Sequence, residues 1–198
     1  MMVNNSTVTE VNSEKYLPIC SGLKLGLYIG QFNPIHIGHI QLLVDMSKYL
    51  DKIYILITYD CDVSTSLRES LIVNEINTYS LRNVYSLTVE GNYSISELLK
   101  QLDILFEGNN LNWILTEKTY LEIPKYNDYE YLEIFPKVLY SNNNYNDSSI
   151  ITTVKPTNEF NVTSSDIRNM INNNIDPRPL IGGLEYDYII SSKMYMKQ

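Results

Sequence analysis

Gly30-Gln31-Phe32-Asn33-Pro34-Ile35-His36-Ile37-Gly38-His39 follows directly on the apolar run Leu25-Gly26-Leu27-Tyr28-Ile29. That run is short and closed by a glycine, which reads as a buried strand, and Ile40, Leu42, Leu43 and Met46 then form an apolar stripe at helical spacing. Strand, glycine turn and helix make a phosphate-binding layout, because the first turn of a helix presents unpaired N–H groups and the positive end of its dipole. Gly30 lets a ligand approach the backbone, Gly38 does the same at the helix start, and Pro34 stiffens the turn between them. His36 and His39 bring two imidazole donors to the same helix entry.

A plainer reading makes the histidines an ordinary helix entry, Gly30 a strand-ending turn and Phe32 a core anchor. Six specified positions weigh against it: the pattern Gly-x-Phe-x-Pro-x-His-x-Gly-His arises by chance in a chain of this length with odds of roughly one in 10⁵ or less.

Working outward, Lys52–Thr58 is a second, nearly continuous apolar strand, of the kind that suits a parallel sheet covered on both faces. A polar loop from Tyr59 to Ser66 leads to a helix at Leu67–Tyr79, a strand at Val84–Val89, a helix over Ser94–Phe106 and a fourth strand at Asn112–Thr116. This alternation predicts an α/β fold, a Rossmann-like doubly wound parallel sheet of about five strands in a single domain, with right-handed crossovers. Tyr131–Phe135 reads as a short strand, and the Asn-rich segment after Tyr140 as a surface excursion before Ile150–Val154. Toward the end, one helix runs through Asn172 and another closes the chain over Leu184–Met194. Residues 1 to 22 are polar and aperiodic, so they read as a flexible arm preceding a domain over 23–198.

Composition restricts the function. With 44% hydrophobic residues in 198, the chain can bury a core of its own. The net charge of −8 argues against nucleic-acid partners, which call for a Lys/Arg surplus. Cys20 and Cys61 fit no metal or redox spacing, no apolar run is long enough to span a membrane, and the first residues lack the pattern of a signal peptide. The expectation is a soluble cytoplasmic protein with no membrane partner.

A second motif lies far downstream. Val162-Thr163-Ser164-Ser165-Asp166-Ile167-Arg168 opens a helix with residues that cap well and leave backbone N–H groups exposed, and Arg168 adds a permanently charged fork suited to phosphate. The two motifs together resemble the signatures of the nucleotidylyltransferase superfamily, His-x-Gly-His and Ile-Ser-Ser-Thr-x-Ile-Arg. Within it, the chain is most similar to the nicotinamide and nicotinate mononucleotide adenylyltransferases, which also carry a Thr-x-x-Arg segment after the second strand, here Thr65–Arg68, and a Tyr-Ile helix near the end, here Leu184–Ile189.

The resemblance implies adenylyl transfer from ATP to a mononucleotide, with magnesium carried on ATP and no metal site of the protein's own. It implies catalytic roles for His36, His39 and Arg168. It implies ATP contacts from Gly30, Gln31, Phe32, His36, Gly38, His39, Thr163, Ser164, Ser165 and Arg168, with adenine lying where the first and fourth strands diverge. Acceptor contacts are implied for Arg68, Tyr93 and Thr116. Two departures stand out: Gln31 occupies a position usually held by a cation, and Trp113, mid-strand, reads as core, which leaves Tyr93 as the ring-stacking candidate. Amidated and deamidated acceptors both stay open, as do another phosphorylated acceptor such as phosphopantetheine, a catalytically silent nucleotide sensor, and a homo-oligomer.

Overall fold

The computed structural model describes residues 21–58, 63–88 and 93–196. The proposed N-terminal arm up to residue 20, together with Cys20 and Cys61, lies outside them.

Strands β1 (Lys24–Gly30), β2 (Lys52–Ile57), β3 (Val84–Thr88), β4 (Asn110–Thr116), β5 (Lys137–Tyr140) and β6 (Ile150–Val154) form one parallel sheet in the order β3-β2-β1-β4-β5-β6. Side-chain alternation along the strands explains the two-faced core. Tyr28, Ile53, Ile55, Ile57, Ile114 and Val138 point to one face, against Ile40, Leu43 and Met46 of α1 (Ile37–Met46) and Ile72 and Ile76 of α2 (Thr65–Thr78). Leu25, Leu27, Tyr54, Leu56, Trp113, Leu115 and Leu139 point to the other. There they meet Leu98, Leu99 and Leu102 of α3 (Ile95–Leu105), and Leu132 of α5 (Tyr129–Ile134). A sheet buried on both faces needs the nearly continuous apolar strands seen in the sequence, and Trp113 is core, as its mid-strand position predicts.

The sheet has six strands where about five were expected, and the segment read as a strand at Tyr131–Phe135 is helix α5. Its burial explains the correction: Leu132 and Phe135 are buried while Glu133 and Ile134 are exposed, a helical three-residue spacing and not a two-residue alternation. Strand pairing passes instead to Lys137–Tyr140, after Pro136. Helix α4 (Glu117–Glu122) follows β4, and α6 (Ser164–Asn172) and α7 (Gly183–Ser191) pack through a small separate cluster that includes Ile167, Ile171, Ile181 and Ile189.

The sheet order reverses between β1 and β4, the position at which a doubly wound sheet opens a crevice. β1 pairs with β2 as far as Gly30, whereas its pairing with β4 ends at Leu27 and Trp113. The last residues of β1 and β4 therefore diverge. Among the described residues no helix is long and apolar enough to cross a membrane.

Candidate active site

The turn after β1 is built around Phe32. Its backbone is left-handed at φ 48°, a conformation bulky residues rarely adopt and one that costs on the order of 1–3 kcal/mol. The turn folds the buried Phe32 ring back over Gly30, where a Cβ would meet it at 3.2 Å. A side chain at position 30 would thus press on the Phe32 ring of its own loop, a constraint separate from ligand approach.

His36 caps α1 with an extended backbone, and the two imidazoles stack with ring centroids 3.7 Å apart. The Phe32 ring meets His39 edge-on at 5.1 Å. The His36 backbone N–H donates to Nδ1 of His39 at 3.3 Å, which makes Nδ1 an acceptor and leaves the ring proton of a neutral His39 on Nε2. Gly38 leaves room for this stacking: a Cβ there would lie 3.1 Å from the His36 ring and press on it.

Burial sets the charge state of the pair. It lowers His36 to about 4, against an opposing pull from Asp166, and it lowers His39 well below the ordinary imidazole value, with His36 adding to the effect. Both rings are therefore neutral near pH 7. His36 is 6% exposed, and its Nδ1 is buried without a hydrogen-bond partner among the described residues. Among the first N–H groups of α1, Ile37 donates to the Leu180 carbonyl at 2.8 Å and His39 to the His36 carbonyl at 2.9 Å, so among the described residues the donor left at this turn is Gly38.

The second motif docks on this turn. Thr163 caps α6 and Asp166 closes a capping box, its carboxylate accepting from the Thr163 N–H at 2.8 Å. The Ser164 hydroxyl donates to the Pro34 carbonyl at 2.8 Å, and Arg168 Nη1 donates to the Asn33 carbonyl at 2.5 Å, with Nη2 3.3 Å from Ser165 Oγ. Two helix N-termini, α1 and α6, are thereby held beside one loop, with His36, His39, Thr163, Ser164, Ser165 and Arg168 on the same side of the sheet's C-terminal edge. Neutral N–H donors, two helix dipoles and one guanidinium gathered in this way suit an oligophosphate.

The residues expected to meet the acceptor are placed differently from one another. Arg68 is 2% exposed, and its guanidinium donates to the Gln31 carbonyl at 2.5 Å and the Val63 carbonyl at 3.1 Å. It holds the underside of the turn, and the Gln31 backbone is the group it grips. Thr116 ends β4 at the crevice and caps α4 through Thr119. Tyr93 is half-buried against the α3 face of the core. Sequence reasoning did not single out Asn33, which receives Arg168 on its carbonyl and the Tyr195 hydroxyl on its side chain. Its place inside the first motif was the only signal available.

Comparison with known proteins bears on this geometry. The model of the cytidylyltransferase-like family matches residues 27–170, a span that contains both motifs. The chain belongs to that family. It is a nucleotidyltransferase, and individual relatives resemble it at low identity. A protein of Carboxydothermus hydrogenoformans described as a probable nicotinate-nucleotide adenylyltransferase is 24% identical over 88% of this chain and 99% of its own length. The phosphopantetheine adenylyltransferase of Helicobacter pylori is 31% identical, over 34% of this chain and 45% of its own. Among solved structures, the nicotinic acid mononucleotide adenylyltransferase of Plasmodium falciparum complexed with APC shares the fold, with a TM-score of 0.75, 18% identity, and coverage of 87% of this chain and 97% of that one.

Proposed function

We propose that this nucleotidyltransferase transfers the adenylyl group of ATP to nicotinate or nicotinamide mononucleotide, releasing pyrophosphate. The observation that carries the reading is the joining of the two motifs through Ser164–Pro34 and Arg168–Asn33, which holds two helix N-termini, each suited to an anion, beside one loop. The relative from C. hydrogenoformans, matched over nearly its whole length, supports the choice of acceptor.

In the proposed reaction the acceptor phosphate attacks the α-phosphorus of ATP in line and pyrophosphate leaves. An ionised phosphate needs no general base, and two imidazoles that are neutral near pH 7 would act here as hydrogen-bond donors and not as cations. Catalysis then rests on positioning and on donors aimed where charge develops. His39 Nε2–H and the Gly38 N–H would meet the α-phosphate region beside His36. The first turn of α6 and Arg168 would hold the β- and γ-phosphates, and adenine would enter where β1 and β4 diverge. In this proposal magnesium comes with the substrate as MgATP, held by phosphate oxygens and water.

Mass spectrometry of the products from ATP, magnesium and each pyridine mononucleotide tests the reading. A dinucleotide product supports it. A second reading, transfer to phosphopantetheine, has the partial likeness to the H. pylori protein in its favour and is separated by the same assay with that acceptor.

A further inference from the structure

Asp45 lies on α1, about two turns beyond His39, and its side chain is 2% exposed. A buried carboxylate is tolerated only when its lone pairs are taken, and here they are. Oδ1 accepts from the Thr157 hydroxyl at 2.5 Å and from Lys48 at 3.0 Å. Oδ2 accepts from the Thr157 N–H at 2.9 Å, the Tyr140 hydroxyl at 2.8 Å and Gln41 at 3.1 Å. These bonds hold the carboxyl ionised, far below the ordinary carboxylate range.

The partners of Asp45 belong to separate parts of the chain. Tyr140 ends β5. Thr157 sits in the linker between β6 and α6, which passes over the start of α1, where the Phe160 carbonyl would lie 3.6 Å from a Cβ on Gly38. The linker ends at Thr163, the cap of α6. One carboxylate on the helix that carries His36 and His39 thus anchors, through both the N–H and the hydroxyl of Thr157, the segment that delivers the second motif.

We propose that Asp45 is a positioning residue for ATP, fixing the β6–α6 linker to α1 so that the α6 end of the phosphate clamp stays in register with the histidine end; this rests on the adenylyl-transfer reading. Asp45 touches no reacting atom. The Thr157 arm sets the register of the clamp, and the Tyr140 arm contributes to stability alone.

The test measures MgATP affinity directly by calorimetry, KM for ATP and for the acceptor, and the melting temperature, for Asp45→Asn, Thr157→Val and Tyr140→Phe. Asp45→Asn and Thr157→Val are expected to weaken MgATP binding and raise KM for ATP roughly tenfold, with the KM for the acceptor unchanged. Their effects on ATP affinity should be less than additive in the double variant, since both act on the bond between the Thr157 hydroxyl and Asp45. Tyr140→Phe should lower the melting temperature and leave ATP affinity unchanged. Unaltered MgATP affinity in Thr157→Val, whether or not Asp45→Asn folds, overturns the proposal, as does an equal rise in both KM values. A wild-type protein that binds no MgATP contradicts the adenylyl-transfer reading instead, so the two failures are distinguishable.

Discussion

The Ser164 hydroxyl and the Pro34 carbonyl meet at 2.8 Å across 130 residues of chain. Neither group would serve a helix cap by itself: Thr163 already caps α6, and Pro34 sits in the loop before α1. Their bond turns two separate helix entries into one surface, and Arg168 repeats the junction at Asn33.

If His39 donates to the transferring phosphate, His39→Ala removes a donor aimed at developing charge. Such losses amount to about 10²–10³ in kcat. Steady-state kinetics should show that drop in a variant that circular dichroism shows to be folded, with some loss of melting temperature because the ring packs against His36 and Phe32. Near-normal turnover of the purified variant contradicts the assigned role.

Arg168→Lys keeps the charge and loses the fork that reaches both the Asn33 carbonyl and Ser165. An ammonium cannot span the two, so KM for ATP should rise by about tenfold or more while far-ultraviolet circular dichroism stays unchanged. Wild-type KM in this variant would show that only charge matters at this position.

The pH dependence of stability follows from His36. Unfolded, an imidazole titrates near 6.5; folded, burial lowers this one to about 4. As pH falls the unfolded chain takes up the proton first, so the contribution is fully present above about 6.5 and is lost progressively toward 4, by at most about 3 kcal/mol. His39 acts in the same direction. Urea unfolding across that window should show a steeper loss in wild type than in His36→Gln, and parallel curves would contradict the assignment.

Glu185 predicts the opposite slope. Glu185 is 1% exposed, and burial together with the nearby Glu75 raises its carboxyl well above the ordinary value, against an opposing pull from the Ile35 backbone. For a carboxyl raised in this way stability falls as pH rises above the unfolded value, because the unfolded chain ionises first. Glu185→Gln should therefore gain more stability, relative to wild type, at pH 8 than at pH 5 in the same unfolding assay. Equal differences at both pH values rule this out.

The parts of the fold that the sequence made legible are those where local pattern and tertiary role agree. The apolar run before Gly30, the glycine turn and the α1 stripe all serve one local unit, and the Thr163–Asp166 capping box is written in four adjacent residues. β5 was missed because its first residue is a buried lysine. Lys137 is buried at the base of the sheet only because its ammonium donates to the carbonyls of Glu133 and Phe135 and to the Ser149 hydroxyl, partners that exist only once the chain has folded. The aromatic and aliphatic residues just before it, which pack as a helix, carried the stronger strand signal. The same reason hides Asp45 and Asn33: each acts through partners more than 90 residues away, and no spacing rule reports such pairs. Arg68, for which the motif implied acceptor contact, shows what a motif does not report: its side chain is buried with the guanidinium on the Gln31 carbonyl.

The most direct measurement is pyrophosphate release from MgATP offered nicotinate mononucleotide, nicotinamide mononucleotide and phosphopantetheine in turn, with His39→Ala as the control. Release with a pyridine mononucleotide that falls by about 10²–10³ in the control is the expected result. Release with phosphopantetheine alone, or with none of the three, contradicts the proposed function.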